Sequence, residues 1–248
     1  MTGADRAPTG EQRGADGFEQ AWAAARDVEG WLTEAQARRL YRAVAAVGAG
    51  GDVVRVVEIG SFRGRSAIVL ASACADVVCI DPHAGSDRGP QEIAADADRG
   101  AADLEAFRAN LARAGVADRV RHVRAFSGAA LDEVSGPVDV LFVDGAHRFA
   151  PARADLVRWG GRVRAGGRLL VHDAWSSIGV TLALMATTVF GRRWRYVGRE
   201  GSLAEFVRED VRGAGNAARQ LRELPWFARN VAVKALIVAR LRRGPWPY

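Results

Sequence analysis

The spacing of apolar residues changes several times along this chain, and each change marks an element. Between positions 18 and 47 they recur at helical spacing. Trp22, Trp31, Leu32, Leu40, Tyr41 and Val44 are the apolar positions, which predicts helices over Phe18–Val28 and Thr33–Val47. From Val53 onward, short β-branched runs alternate with helical stretches. Val53–Ile59, Val77–Ile80, Val120–Val123, Val138–Val143 and Arg168–His172 read as strands. Ser66–Ala75 and Asp103–Ala114 read as helices between them, the second from the recurrence of Leu104, Phe107 and Leu111. Near-continuous Val, Ile and Leu runs suit strands buried on both faces, so the pattern predicts a doubly wound, mostly parallel α/β sheet covered by helices. Trp194–Val197 and Ser202–Val207, separated by Gly198 and Gly201, predict a hairpin that closes one edge and brings the strand count to seven.

The ends read differently. Residues 1–16 are polar and Gly-rich, the composition of a disordered leader, and 17–50 hold the first helices. The core domain is expected over 51–210. Ala174–Gly191 carries no charge, but Ser176, Ser177, Gly179, Thr181, Thr187 and Thr188 argue for a buried crossover helix over a membrane span. Residues 215–248 read as a helical appendix outside that core. Its run Leu221–Arg243 interleaves Trp226, Phe227, Val231, Val233, Leu236 and Ile237 with six basic residues. A helix packed on its own protein or on a second copy would show this pattern, and so would one lying on a membrane surface.

Composition narrows the function only a little. Among 248 residues, 35 basic against 29 acidic side chains give a net charge of +6, and arginine supplies nearly all of the positive charge. No basic stripe interleaved with aromatics lies inside the core, so nucleic acid is not the expected partner. Cys74 and Cys79 fall at a helix end and in the next strand, as small core residues of a reducing compartment would. The amino terminus has no apolar run behind a basic start. A cytoplasmic protein is therefore expected.

The chemistry concentrates at the strand ends. Glu58-Ile59-Gly60-Ser61-Phe62-Arg63-Gly64-Arg65-Ser66 crosses from strand to helix, where Gly60 and Gly64 let the backbone approach a ligand and the helix offers free N–H groups. This is not the Gly-x-Gly-x-x-Gly turn of a dinucleotide site, which counts against a nicotinamide-dependent oxidoreductase. An acid such as Glu58 suits a ligand with an ammonium group. Asp81 ends the next strand, where a carboxylate can accept both ribose hydroxyls. Asp144 and Asp173 each follow a strand, so both face one crevice, where a hard cation could bridge them to a substrate oxygen or where each could simply cap the next segment. His147 lies on the loop after Asp144, and its ordinary pKa near 6.5 suits removal of a proton from a hydroxyl. His83 could touch the ribose or merely follow the Asp-Pro turn, His122 reads as structural, and Trp175 could wall a substrate or pack.

These motifs, with VDVLFVDGAHRFAPARADLVRW and AGGRLLVHDAW, resemble the class I S-adenosylmethionine-dependent methyltransferases that include metal-dependent macrolide-sugar O-methyltransferases, cephalosporin-pathway enzymes and catechol O-methyltransferase. The resemblance covers Val53–Asp173 well and the ends hardly at all. It implies S-adenosylmethionine held by Glu58, Gly60, Ser61, Gly64, Ser66 and Asp81, with Ser127 near the adenine or capping a helix. It implies a divalent cation on Asp144, His172 and Asp173, with His147 as general base. His172 stands where a carboxylate is usual, which weakens the case for magnesium and admits a softer ion. The acceptor implied is a small-molecule hydroxyl: a sugar, a polyhydroxylated natural product or a phenol. A non-catalytic partner-binding protein on the same fold is the remaining alternative.

Overall fold

In a computed structural model of the chain, residues 10–49, 53–74, 76–86, 94–239 and 241 are described. Strands β1 (Arg55–Ile59), β2 (Asp76–Ile80), β3 (Val120–Val123), β4 (Val138–Val143), β5 (Val163–Val171), β6 (Trp194–Glu200) and β7 (Leu203–Arg208) form one sheet. Its order is β3-β2-β1-β4-β5-β7-β6, with β1 to β5 parallel and β7 antiparallel to both neighbours. The seven-stranded sheet with an antiparallel edge pair matches the expectation from the pattern. Val56, Val57, Val140, Leu141 and Phe142 are fully buried, because helices cover both faces. Helices α1 (Gly10–Ala25), α2 (Glu34–Gly48), α3 (Arg65–Ala73) and α4 (Ala97–Arg113) contribute to the core on one side. On the other, α5 (Phe149–Arg158), α6 (Ile178–Leu184), α7 (Gly215–Leu221) and α8 (Leu224–Val238) pack around Trp159, Trp175 and Phe206.

The chain leaves β1 toward β2 and β3 in one direction and returns to β4 on the other side of β1. The strand order therefore reverses between β1 and β4, which opens a crevice at their carboxyl ends. The uncharged stretch after β5 forms the expected crossover, α6 running into a π-helical turn at Met185–Val189 with Val180, Ala183, Leu184 and Val189 buried. No helix among the described residues is long and apolar enough to cross a membrane.

Two expectations about the ends need correction. The first helix begins at Gly10, so residues 10–16 of the expected leader are helical, while residues 1–9 lie outside the described residues. The second concerns the appendix, whose residues 240 and 242–248 also lie outside them. Its helices are docked, not separate. Strand β6 is a sheet edge with unpaired backbone groups, and Asn216 of α7 supplies them: its Oδ1 accepts from Tyr196 N at 2.8 Å and its Nδ2 donates to Trp194 O at 2.9 Å. Gln220 Nε2 likewise donates to Thr188 O at 3.1 Å, and Asn230 of α8 to Trp175 O at 3.2 Å. All three amides are buried. Polar residues in a helical pattern look like a solvent face until the backbone groups they satisfy are known.

The edge hairpin is tied across the sheet by charge. Glu205 on β7 is buried between Arg39 of α2, at 2.9 Å, and Arg168 of β5. Removing it leaves two arginines without their carboxylate. Glu205→Ala is expected to lower unfolding free energy by about 3 kcal/mol, measured by urea denaturation followed by circular dichroism.

Candidate active site at the strand ends

The turn from β1 into α3 is built on left-handed backbone. Gly60 and Gly64 have φ of 84° and 91°, and Phe62 between them has 47°. Asp144 N donates to Ile59 O at 2.8 Å, which draws the ends of β1 and β4 together. A Cβ on Gly60 would collide with the Asp144 carbonyl. Gly64 is the N-cap of α3, and a side chain there would press on Phe107 at 3.1 Å. Ser61 and Ser66 are buried on either side of it.

Asp81 organises this turn. Its Oδ2 accepts from Ser61 N at 2.8 Å and Phe62 N at 2.9 Å, and its Oδ1 accepts from His83 N at 2.7 Å. His83 is buried behind it with Nε2 2.9 Å from Phe62 O, while His122 Nε2 lies 3.1 Å from Asp81 O. Both histidines therefore brace the turn. Glu58 lies beneath it, wholly buried, and burial pushes its carboxyl up to about 7, against the opposing influence of the Ser61, Ser66 and Cys79 side chains. Cys79 Sγ donates to Glu58 Oε2 at 3.1 Å, while Oε1 and Ser61 Oγ have no hydrogen-bond partner. Ser61 is on the cavity wall, so its hydroxyl is the buried polar group of this pair that a ligand with hydrogen-bonding groups could reach.

A cavity of about 1320 Å³ lies above the turn, larger than the ~300–1,000 Å³ typical of a single small-ligand site. Gly60, Ser61 and Asp81 line one side of it, Phe126 and Ser127 another, and Asp144, His147 and Asp173 the far side. Glu58 does not reach its wall. Ser127 donates to Asp155, and burial raises that carboxyl to about 6, partly offset by Ser127 and Arg158.

At the far side, Asp144, His147 and Asp173 offer ligand atoms that lie within 4.8 Å of one another. His147 Nε2 is 2.6 Å from Asp173 Oδ2. His172 is not in that group. Its ring is buried with Nδ1 3.1 Å from Asp144 Oδ1, so it pairs with that carboxylate. Burial alone would lower both imidazoles, but the carboxylates prevail: Asp144, then Asp173, raise His172 to about 9, and Asp173, then Asp144, raise His147. Burial would likewise raise Asp173, yet His147 and His172 hold it well below the carboxylate range. Asp173 Oδ1 is buried with no hydrogen-bond partner, an open oxygen such as a cation would take.

Residues 57–174 match the profile of a methyltransferase domain. Over that span the chain is similar to class I methyltransferases. Solved structures with the same fold include the O-methyltransferase from Bacillus cereus in complex with SAH, at 18% identity, TM-score 0.54, covering 82% of this chain and 94% of that one. TomG from Streptomyces achromogenes, an O-methyltransferase of tomaymycin synthesis in complex with SAM, is 19% identical, with TM-score 0.53 and coverage of 78% and 90%. The O-methyltransferase NovP is 18% identical, with TM-score 0.57 and coverage of 74% and 84%. The matched span runs from the middle of β1 to just past β5 and holds both halves of the site.

Several wall residues escaped sequence reasoning. Arg65 donates to the carbonyls of Val28 at 2.6 Å, Leu32 at 3.0 Å and Arg26 at 3.1 Å, which folds the loop between α1 and α2 over the turn and sets Trp31 against Phe62 with ring centroids 5.2 Å apart. Phe126 is 65% exposed on the cavity wall, and its position just before Ser127 was the only hint of it. Gly179 lets α6 touch the His147 backbone, where a Cβ would collide with the His147 carbonyl. Trp175 is fully buried and packs.

Gly60→Ala tests the turn. The variant must strain a left-handed residue and push Asp144 away, so S-adenosylmethionine binding by isothermal titration is expected to weaken at least tenfold, about 1.4 kcal/mol.

Proposed function

We propose that the protein moves the methyl group of S-adenosylmethionine to a hydroxyl oxygen of a small-molecule acceptor, with His147 as general base and a divalent cation held by Asp144 and Asp173. The observation that carries this reading is the convergence of Asp144, His147 and Asp173 at adjacent strand ends, in the same cavity as the glycine turn. Gly60, Ser61 and Gly64 would let the backbone meet the methionine end, with Glu58 below supplying negative charge and Ser66 at the start of α3. The open sides of the Asp81 carboxylate would accept the ribose hydroxyls, and the exposed ring of Phe126 beside Ser127 would stack on the adenine.

In the transfer the sulfonium S–CH₃ bond breaks as the O–CH₃ bond forms in line with it, and the hydroxyl proton leaves. His147 has its Nε2 committed to Asp173, so Nδ1 is the nitrogen left to accept that proton, with Asp173 fixing the ring. When bound, a cation would lower the pKa of an acceptor hydroxyl. His172 takes a different part from the ligand role expected for it: it is directed at Asp144 and holds that carboxylate in place. A second reading keeps His147 and Asp173 as a cation-free dyad, and their 2.6 Å contact favours it.

The decisive experiment follows transfer of labelled methyl groups to a panel of nucleotide-linked sugars and dihydroxyphenols, with and without excess chelator. Turnover is expected to vanish with chelator while S-adenosylmethionine still binds; undiminished turnover would leave the dyad alone. His147→Ala should cost about 10²- to 10⁴-fold in rate. A pH dependence follows from Glu58. Its carboxyl ionises near 7 in the folded chain, so a ligand cation that favours the ionised form binds more tightly as pH rises from 5.5 through 7. Glu58→Gln should flatten that profile in titration calorimetry.

A further inference from the structure

Strand β5 runs into a turn in which two residues with side chains hold left-handed backbone, Asp173 at φ 55° and Trp175 at φ 57°. Such conformations are strained and persist only where the surroundings over-determine them. Within the turn, Ser176 N and Ser177 N donate to Asp173 O at 3.2 and 2.9 Å. Those bonds leave the carbonyls of Trp175 and Ser176 to find partners elsewhere, and both find them on α8. Asn230 Nδ2 donates to Trp175 O at 3.2 Å, and Lys234 Nζ donates to Ser176 O at 3.0 Å. Positions 230 and 234 lie one helical turn apart on the same face, so a single helix grips two consecutive carbonyls. Asn230 is fully buried, and Lys234 lines the cavity, where its charge acts on Asp173.

We propose that Asn230 and Lys234 are positioning residues for Asp173: through them α8 fixes the strained turn after β5 and so sets the carboxylate that orients His147. This rests on Asp173 and His147 belonging to the reaction site. A helix that was only a tether would lower stability when loosened without changing His147.

The test uses full-length Asn230→Ala and Lys234→Met, with Lys234→Arg as the conservative variant and Asp173→Ala as reference. The chain has four histidines, so long-range ¹H–¹⁵N spectra of the imidazole rings resolve His147 beside internal controls at His83 and His122. Spectra are recorded with saturating S-adenosylmethionine, whose affinity is measured separately. Asn230→Ala and Lys234→Met are expected to move the His147 ring resonances toward their positions in Asp173→Ala, leave His83 and His122 unchanged, and keep S-adenosylmethionine affinity within twofold. On the panel acceptor that the wild type methylates, kcat should fall about 10- to 100-fold with little change in KM for S-adenosylmethionine, and Lys234→Arg should recover most of it. Wild-type His147 resonances in the folded variants would overturn the proposal. Should Asn230→Ala fail to fold, Lys234→Met decides alone, since its aliphatic stem keeps the packing. Full turnover in Asp173→Ala would instead sink the reaction-site reading, and the spectra would still decide whether α8 positions that carboxylate.

Discussion

The contact of the Gly60 backbone with the Asp144 backbone is the constraint on which the rest of the site depends. It occurs where the strand order reverses, so the strand feeding the glycine turn and the strand feeding the acid lie side by side. Any side chain at position 60 would hold those ends apart. With them together, one cavity can hold a ligand on the turn and a reacting group against Asp144 and Asp173. The fold thus sets the distance between the glycine turn and the Asp144–Asp173 pair.

Charge is the second constraint. Carboxylates and imidazoles gathered at a largely buried site are costly unless each has a partner, and here they pair in sequence: His172 with Asp144, and His147 with Asp173. That pairing holds Asp173 well below the carboxylate range and fixes both imidazole rings. On the other side of the cavity, Glu58 has no basic partner and is left near neutrality by burial. The two halves therefore differ in kind. One is internally compensated, and the other holds a buried carboxyl without a basic partner to lower it.

The periphery is held by side chains that complete broken backbone ladders. Asn216 stands in for a neighbouring strand at the β6 edge, Arg65 gathers three loop carbonyls over the turn, and Asn230 with Lys234 takes two from the turn after β5. Each joins segments distant in the chain. These contacts explain why polar and basic residues recur in helices that look amphipathic along the sequence.

The alternation of strands and helices, the edge hairpin, the glycine turn and the acids at the strand ends are all legible along the chain. Those features are local: burial on two faces demands runs of Val, Ile and Leu, and a tight strand-to-helix turn demands glycine at positive φ. Strand ends are also predictable places for Asp81, Asp144 and Asp173, because a parallel sheet aligns them. How those groups pair follows from the assembled fold. It turned His172 onto Asp144 and His147 onto Asp173, placed Glu58 under the turn and out of the cavity wall, and brought α8 onto the reaction side. No periodicity encodes such pairings, because each depends on which backbone and charged groups are left unsatisfied once the sheet has formed, and that becomes defined only when distant segments meet.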